Sequence, residues 1–263
     1  MIPKFFGRSG EQLFGAYHPP AGNAGTGPRL GVVLCYPGPH EYRQIHWTYH
    51  RLAALLSSAG LHVLRFDYSC TGDSAGETDS ATLERWEADI VTAAAELRDL
   101  SSVRRVALVG MRLGASLAVR ACTRGVRAAD LVLWDPVVRG ADYVRQLAGV
   151  QEAGLRAARF PVDDWRPLDE LLGHRVPEEM RHALEGLDLL DDPLPTPDRA
   201  LVICGEAGGD GAMLATRLRE GGVACTYSHV PDVSLAREEW HHDTMLCRQV
   251  PAAIVAHLTR RDA

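Results

Sequence analysis

The stretch Gly110-Met111-Arg112-Leu113-Gly114 constrains this chain most, because it follows the apolar run Val106 to Val109 and opens a helix-like run, Ala115 to Ala121. Strand, sharp turn and helix around such a pattern are the setting of the G-x-S-x-G nucleophile elbow, where glycines permit the tight turn and the central side chain stands exposed. Here the central residue is Arg112. A guanidinium stays protonated and donates hydrogen bonds but cannot attack a carbonyl, so ordinary serine hydrolysis is excluded at this position. Gly114, Ala115 and Ser116 are small, as close strand-helix packing requires. The plainer reading ends a buried strand at Gly110 and leaves Arg112 as an exposed helix-start residue.

The runs around the elbow place it in a larger pattern. Apolar segments at Gly31 to Tyr36, His62 to Phe66, Val106 to Val109, Leu131 to Trp134, Ala200 to Cys204 and Ala224 to His229 read as buried parallel strands. Trp47 to Ala59 and Leu83 to Leu100 between them repeat apolar residues at three- and four-residue steps, as helices do. Alternating strand and helix predicts an α/β fold, a doubly wound, mostly parallel sheet. Phe5 to Tyr17 is expected to add an antiparallel hairpin, followed by the glycine-rich loop Ala21 to Pro28, and Pro251 to Thr259 to form a terminal helix. The spacing breaks between Arg139 and Asp198, which carries several helical patterns and ends in Asp191-Asp192-Pro193-Leu194-Pro195-Thr196-Pro197. So long a connection predicts a helical cap at about 139–197, inserted into a single domain spanning Met1 to Ala263.

At 263 residues and 46% hydrophobic content the chain can bury one full core. A net charge of -6 argues against a nucleic-acid surface, which demands a basic patch. Lys4 is the only lysine, which suggests a GC-rich coding sequence and a bacterial source with extensive secondary metabolism. Cys35, Cys70, Cys122, Cys204, Cys225 and Cys247 lack CxxC spacing and read as reduced, mostly core thiols. Met1 to Gly10 has no apolar signal-like region and no segment approaches a membrane span, so a soluble cytoplasmic protein without a membrane partner is expected.

From Leu34 to Leu100 the chain resembles α/β-hydrolases of the exosortase-associated and serine-aminopeptidase-like type. The resemblance is carried by Tyr36-Pro37-Gly38-Pro39-His40-Glu41 before a long helix, by Asp67-Tyr68-Ser69-Cys70-Thr71-Gly72-Asp73-Ser74-Ala75-Gly76-Glu77 after it, by the arginine-bearing elbow, and by Trp134-Asp135-Pro136-Val137. Cys70 departs from the pattern, standing where the family's turn has its first glycine, and Pro37 to Glu41 departs from it in the oxyanion region. The resemblance implies the α/β-hydrolase fold with a helical cap and a site at the elbow. At the level of fold it extends to spirotetronate-pathway proteins of this kind, which implies elimination of acetate from an acylated small molecule.

In the family's order an acid follows a late strand and a histidine follows the last one. Glu206 and Asp210, in Cys204-Gly205-Glu206-Ala207-Gly208-Gly209-Asp210, occupy the acid's place, with Asp135 as the alternative; each also reads as an exposed loop carboxylate. His241 and His242, in Trp240-His241-His242-Asp243, occupy the histidine's place, and only one of the pair need face the site. Pro39, His40, Met111 and Asp135 are candidate substrate contacts, His40 because its turn lines the oxyanion region. No other nucleophile fits the elbow: Ser116 lies one helical turn on, Ser74 belongs to a structural turn and Cys70 has no neighbouring histidine in sequence. His46 and His50 share a helix face, but no third ligand accompanies them, so neither metal nor cofactor is expected.

A guanidinium at a helix N-terminus adds a cation to backbone donors and a positive dipole end, suiting carboxylates and enolates. With a histidine opposite, the expected chemistry is proton abstraction and expulsion of a carboxylate, a carbon-oxygen lyase of bacterial antibiotic or polyketide metabolism. Two alternatives stay open. One is an ester or thioester hydrolase whose histidine activates water. The other is an inactive binding or scaffold protein, with Arg112 tied to Glu206, Asp210 or Asp135. The expected partner is a small acylated substrate, and a homodimer is compatible with the chain.

Overall fold

A computed structural model describes residues 1–21, 30–158, 170–231 and 248–260. Eight strands form one sheet in the order β1-β2-β4-β3-β5-β6-β9-β10. They are β1 (Ile2–Phe6), β2 (Leu13–His18), β3 (Leu30–Cys35), β4 (His62–Phe66), β5 (Arg105–Met111), β6 (Ala128–Trp134), β9 (Arg199–Cys204) and β10 (Ala224–His229). β1 pairs antiparallel with β2 and β2 with β4, and every other neighbour is parallel. This is the α/β-hydrolase fold.

The sequence explains which strands are central. All residues of β3 and β6 and all but the first of β5 are buried, as expected where helices cover both faces of a parallel sheet. β10, at the edge, has no buried residue and carries Thr226, Tyr227 and Ser228 in place of an apolar run. The helices are α1 (Pro39–Ser58), α2 (Leu83–Ser101), α3 (Leu113–Thr123), α4 (Gly140–Ala157), α5 (Glu178–Glu185), α6 (Gly209–Glu220) and a C-terminal α7 (Gln249–Thr259). Thr82 caps α2, its side chain accepting from Arg85 N at 3.2 Å, which satisfies one of the helix's orphan donors. Among the described residues no helix is long and apolar enough to cross a membrane. Cys35, Cys70, Cys122, Cys204 and Cys225 are free thiols, and Cys247 lies outside the described residues.

Two departures from the sequence reading bear on the site. α1 begins at Pro39, not near Trp47, with proline at its first position, where its missing N–H and fixed φ suit a helix start. Its opening turn holds His40 and Glu41, polar residues that obscure the amphipathic period there. The connection between β6 and β9 holds α4, the two-stranded hairpin β7 (Glu170–Leu171) and β8 (His174–Arg175), and α5.

Candidate functional site

The elbow is built at the carboxyl end of β5. Arg112, between β5 and α3, has φ 50 and ψ -123, a conformation a non-glycine residue holds at a cost of about 1–3 kcal/mol unless its surroundings impose it. Here they do. Arg112 N donates to Trp134 O at 2.9 Å, and Arg112 O accepts from Ala115 N at 3.0 Å and Val137 N at 3.3 Å. A Cβ on Gly110 would lie 2.4 Å from Gly114 O, and one on Gly114 would lie 2.1 Å from Tyr36 O. Both glycines are therefore required by close backbone approach, and the sequence pattern reports a real elbow.

Its side chain does not point to solvent. Arg112 is buried, donating from Nε to Glu41 Oε1 at 3.1 Å and from Nη2 to Gln146 Oε1 at 3.0 Å, with Cζ 5.4 Å from the centroid of the Tyr143 ring. Glu41 comes from the first turn of α1, and Tyr143 and Gln146 from α4. The ion pair that the alternative reading gave to Glu206, Asp210 or Asp135 is made by Glu41, because the turn after β3 reaches the elbow's apex; Asp210 pairs with Arg139, and Asp135 acts on Arg112 as a further, weaker negative charge. Burial alone would raise the Glu41 carboxyl, but His40 and Arg112 outweigh it and hold it below its ordinary value. Burial by itself lowers the Arg112 pKa, and Glu41, with Tyr143 and Asp135, more than restores it, so both partners are charged.

Above this pair lies a cavity of about 920 Å³, lined by Arg112, Glu41, His40, Tyr143 and Gln146 at one end. Tyr36, Tyr42, Tyr68 and Trp86 form an aromatic wall, with Tyr36 and Tyr42 ring centroids 4.6 Å apart and Tyr68 stacked on Trp86 at 5.3 Å. Leu147, Val150, Leu171, Leu172, Met180 and Leu184, from the connection between β6 and β9, make the other wall aliphatic. An apolar cavity of this size with a few convergent polar groups is what a small organic ligand occupies.

The structure brings Arg112, His40 and Pro39 to this cavity. Met111 is fully buried as the last residue of β5 and is not on the cavity wall. Asp135 has φ 41 and accepts from Gly205 N at 2.8 Å, tying the end of β6 to the loop after β9. Asp210 sits in the first turn of α6 and pairs with Arg139 at 2.7 Å, and Glu206 is exposed; neither lines the cavity. His241 and His242 lie outside the described residues. Sequence reasoning missed Glu41 as the partner of Arg112, and missed Tyr143 and Gln146 altogether. The Pro-Gly-Pro turn held the only signal for the first, since it starts a helix with Glu41 in its opening turn.

The neighbouring serine and cysteine groups are structural. Ser116 Oγ donates to Val137 O, and Ser74 Oγ donates to Asp67 O at 2.7 Å while accepting from Phe14 N at 2.9 Å. Cys70 adopts φ 65, the conformation a glycine would take in that turn, so the turn is kept despite the substitution. Cys70 touches the cavity, but burial pushes its thiol pKa up, away from the reactive thiolate.

A model of the alpha/beta hydrolase family matches residues 32–256. No curated protein sequence matches the chain. Among solved structures, the Est1E protein of Butyrivibrio proteoclasticus with bound ferulic acid is 16% identical, covering 98% of this chain and 100% of its own at a TM-score of 0.66. A proline iminopeptidase of Mycobacterium smegmatis is 17% identical, covering 98% of this chain and 97% of its own at 0.65. The bottromycin epimerase BotH, in complex with bottromycin A2, is 21% identical, covering 96% of this chain and 98% of its own at 0.57. At these identities the likeness is one of fold.

Proposed function

This chain belongs to the alpha/beta hydrolase family, and from that premise we propose that it is a non-hydrolytic member, a carbon-oxygen lyase that expels a carboxylic acid such as acetate from an acylated small molecule. One observation carries the reading. The elbow keeps its strained conformation beneath a ligand-sized cavity, yet its apex presents a buried guanidinium paired with Glu41. Removing the nucleophile from a serine hydrolase costs about six orders of magnitude in turnover, so a retained elbow and cavity without one argue for other chemistry.

In the elimination, a base takes the proton on the carbon next to the substrate's carbonyl. The electron pair of that bond becomes the new carbon-carbon double bond, and the carbon-oxygen bond breaks with its pair leaving on the carboxylate. Arg112 stabilises the negative charge that develops on the enolised oxygen or the departing carboxylate. Because Glu41 already neutralises it, the floor of the cavity holds the anionic product less tightly than an unpaired arginine would. The proton acceptor is a histidine, for which the chain offers His241, His242 and, on the cavity wall, His40. The segment holding α4, β7, β8 and α5 serves as the cap that excludes water. The name of the bottromycin epimerase, a neighbour in fold, denotes stereochemical inversion and not hydrolysis. The arginine-rich composition, with Lys4 as the only lysine, fits a source with extensive small-molecule biosynthesis.

The test incubates the protein with a panel of β-acetoxy ketones and lactones in oxygen-labelled water and reads products by mass spectrometry. An alkene with unlabelled acetate is expected. An alcohol with labelled acetate would replace the reading with hydrolysis by activated water, and unchanged substrate throughout would favour a binding role. Serine-directed fluorophosphonates should leave the protein unlabelled.

A further inference from the structure

We infer that His40 is the proton-accepting base of this cavity and that Glu41 positions it, in the role the sequence alone assigns to His241 or His242; the inference rests on the non-hydrolytic reading above. His40 and Glu41 are consecutive in the opening turn of α1, and both line the cavity beside Arg112. His40 Nε2 lies 3.7 Å from Glu41 Oε1 and 3.3 Å from the Tyr143 hydroxyl, which donates to Glu41 Oε2 at 3.4 Å. A carboxylate on the Nε2 side favours the tautomer with its proton there, leaving the Nδ1 lone pair to accept one. No described residue hydrogen-bonds Nδ1.

The local backbone makes room for this arrangement. A Cβ on Gly38 would lie 3.0 Å from His40 Cε1, 3.0 Å from the Tyr143 hydroxyl and 3.3 Å from His40 Nδ1, so a side chain there would crowd both rings. Glu41 also binds the Arg112 guanidinium, so one carboxylate orients the base and the anion-stabilising group together. When Nδ1 takes the substrate proton, the imidazolium forms beside Glu41 while the released electron pair moves through the enolised carbonyl to expel the carboxylate; no further reactant is required. His174 also lines the cavity, but it sits exposed on β8, and the carboxylate that acts on it, Glu170, is itself exposed.

The first test uses the unmodified full-length protein and a chloromethyl ketone bearing a short alkyl chain. Nδ1 would form a bond to the chloromethyl carbon as chloride leaves, and peptide mass spectrometry would locate the adduct. Alkylation at His40 is expected, slowed about tenfold or more by Glu41→Gln. Alkylation at His241, His242 or His174 instead, or at no histidine, would overturn the assignment. The second test follows the β-acetoxy ketone reaction, where His40→Gln should lower kcat by about a hundredfold or more with little change in KM. If the parent and His40→Gln make alkene equally, His40 is not the base and the elimination reading survives. If the parent alkylates at His40 yet makes no alkene, the elimination reading fails and the base assignment stands.

Discussion

The two ends of the sheet both bury a carboxylate against an arginine, and only one of them is a candidate for chemistry. At the amino-terminal end, Asp130 on β6 is wholly buried, with Arg199 Nε at 2.8 Å from the start of β9 and His257 of α7 at 3.3 Å. None of these three residues has a positive φ, and none lines the cavity described above. At the carboxyl-terminal end, the Arg112–Glu41 pair borders about 920 Å³ of space, and Arg112 and Asp135 both hold positive φ. Buried charge by itself therefore marks stability as readily as function. Backbone strain together with open volume separates the two, as expected where ligands bind at the carboxyl ends of parallel strands.

The comparison breaks most sharply on Arg112→Ala. Turnover of an acylated substrate should fall by at least about two to three orders of magnitude, the usual cost of losing an oxyanion-type donor, whereas Asp130→Asn should leave kcat intact. Should Arg112→Ala keep full turnover and lose only thermal stability, the two ends are alike and the arginine is structural.

Stability offers the next test. Glu41→Leu leaves a buried guanidinium unpaired and should cost about 3–5 kcal/mol in urea unfolding, while the double variant Arg112→Met/Glu41→Leu should recover most of that. A double variant no more stable than the single one would mean that the cavity end depends on the pair for its packing.

A pH series separates the carboxylates from a buried imidazole. Burial acts to raise the Asp130 carboxyl, but His257 and Arg199 hold it below its ordinary value, so its contribution is present above the unfolded pKa of about 3.9 and is lost as pH falls through the folded value. His18 behaves differently. Burial, with Arg65, the amino terminus and His50, lowers its pKa to about 4. The unfolded chain, titrating near about 6.5, then binds more protons between those values, so stability should decline as pH falls from about 6.5 to about 4 and this contribution should level off below. His18→Gln should flatten that slope, measured by urea midpoints across the range, and Asp130→Asn should act only on the more acidic limb.

The smallest effect is expected at the loop after β9. Asp210→Asn removes a half-exposed pair with Arg139 and should change stability by less than about 1 kcal/mol. Loss of turnover in Asp210→Asn or Glu206→Gln would extend the working site to β9 and restore the family's late-strand acid.

Much of this was legible in the chain. The run at His62 to Phe66 coincides with β4, and the hairpin expected over Phe5 to Tyr17 forms as β1 and β2; Ala224 to His229 forms the parallel strand β10 but, lying at the sheet edge, is not the buried strand its sequence suggests. Hydrophobic period and breakers act over a few residues, and that is the range in which they succeed. The start of α1 is not legible in the chain because its first turn faces a cavity, so polar residues fall where the helical period would place an apolar stripe.

The sequence by itself pointed to the elbow, since Gly110 and Gly114 allow the close approach of strand and helix that a side chain would block, and it determined the absence of a nucleophile at the apex, since no fold can make Arg112 one. Tertiary structure decided what the arginine does. Glu41 lies 71 positions before it in the chain and Gln146 lies 34 after it, and a guanidinium meets whichever groups packing carries to its reach. Local pattern specifies which face of an element is buried; only the folded arrangement specifies against what.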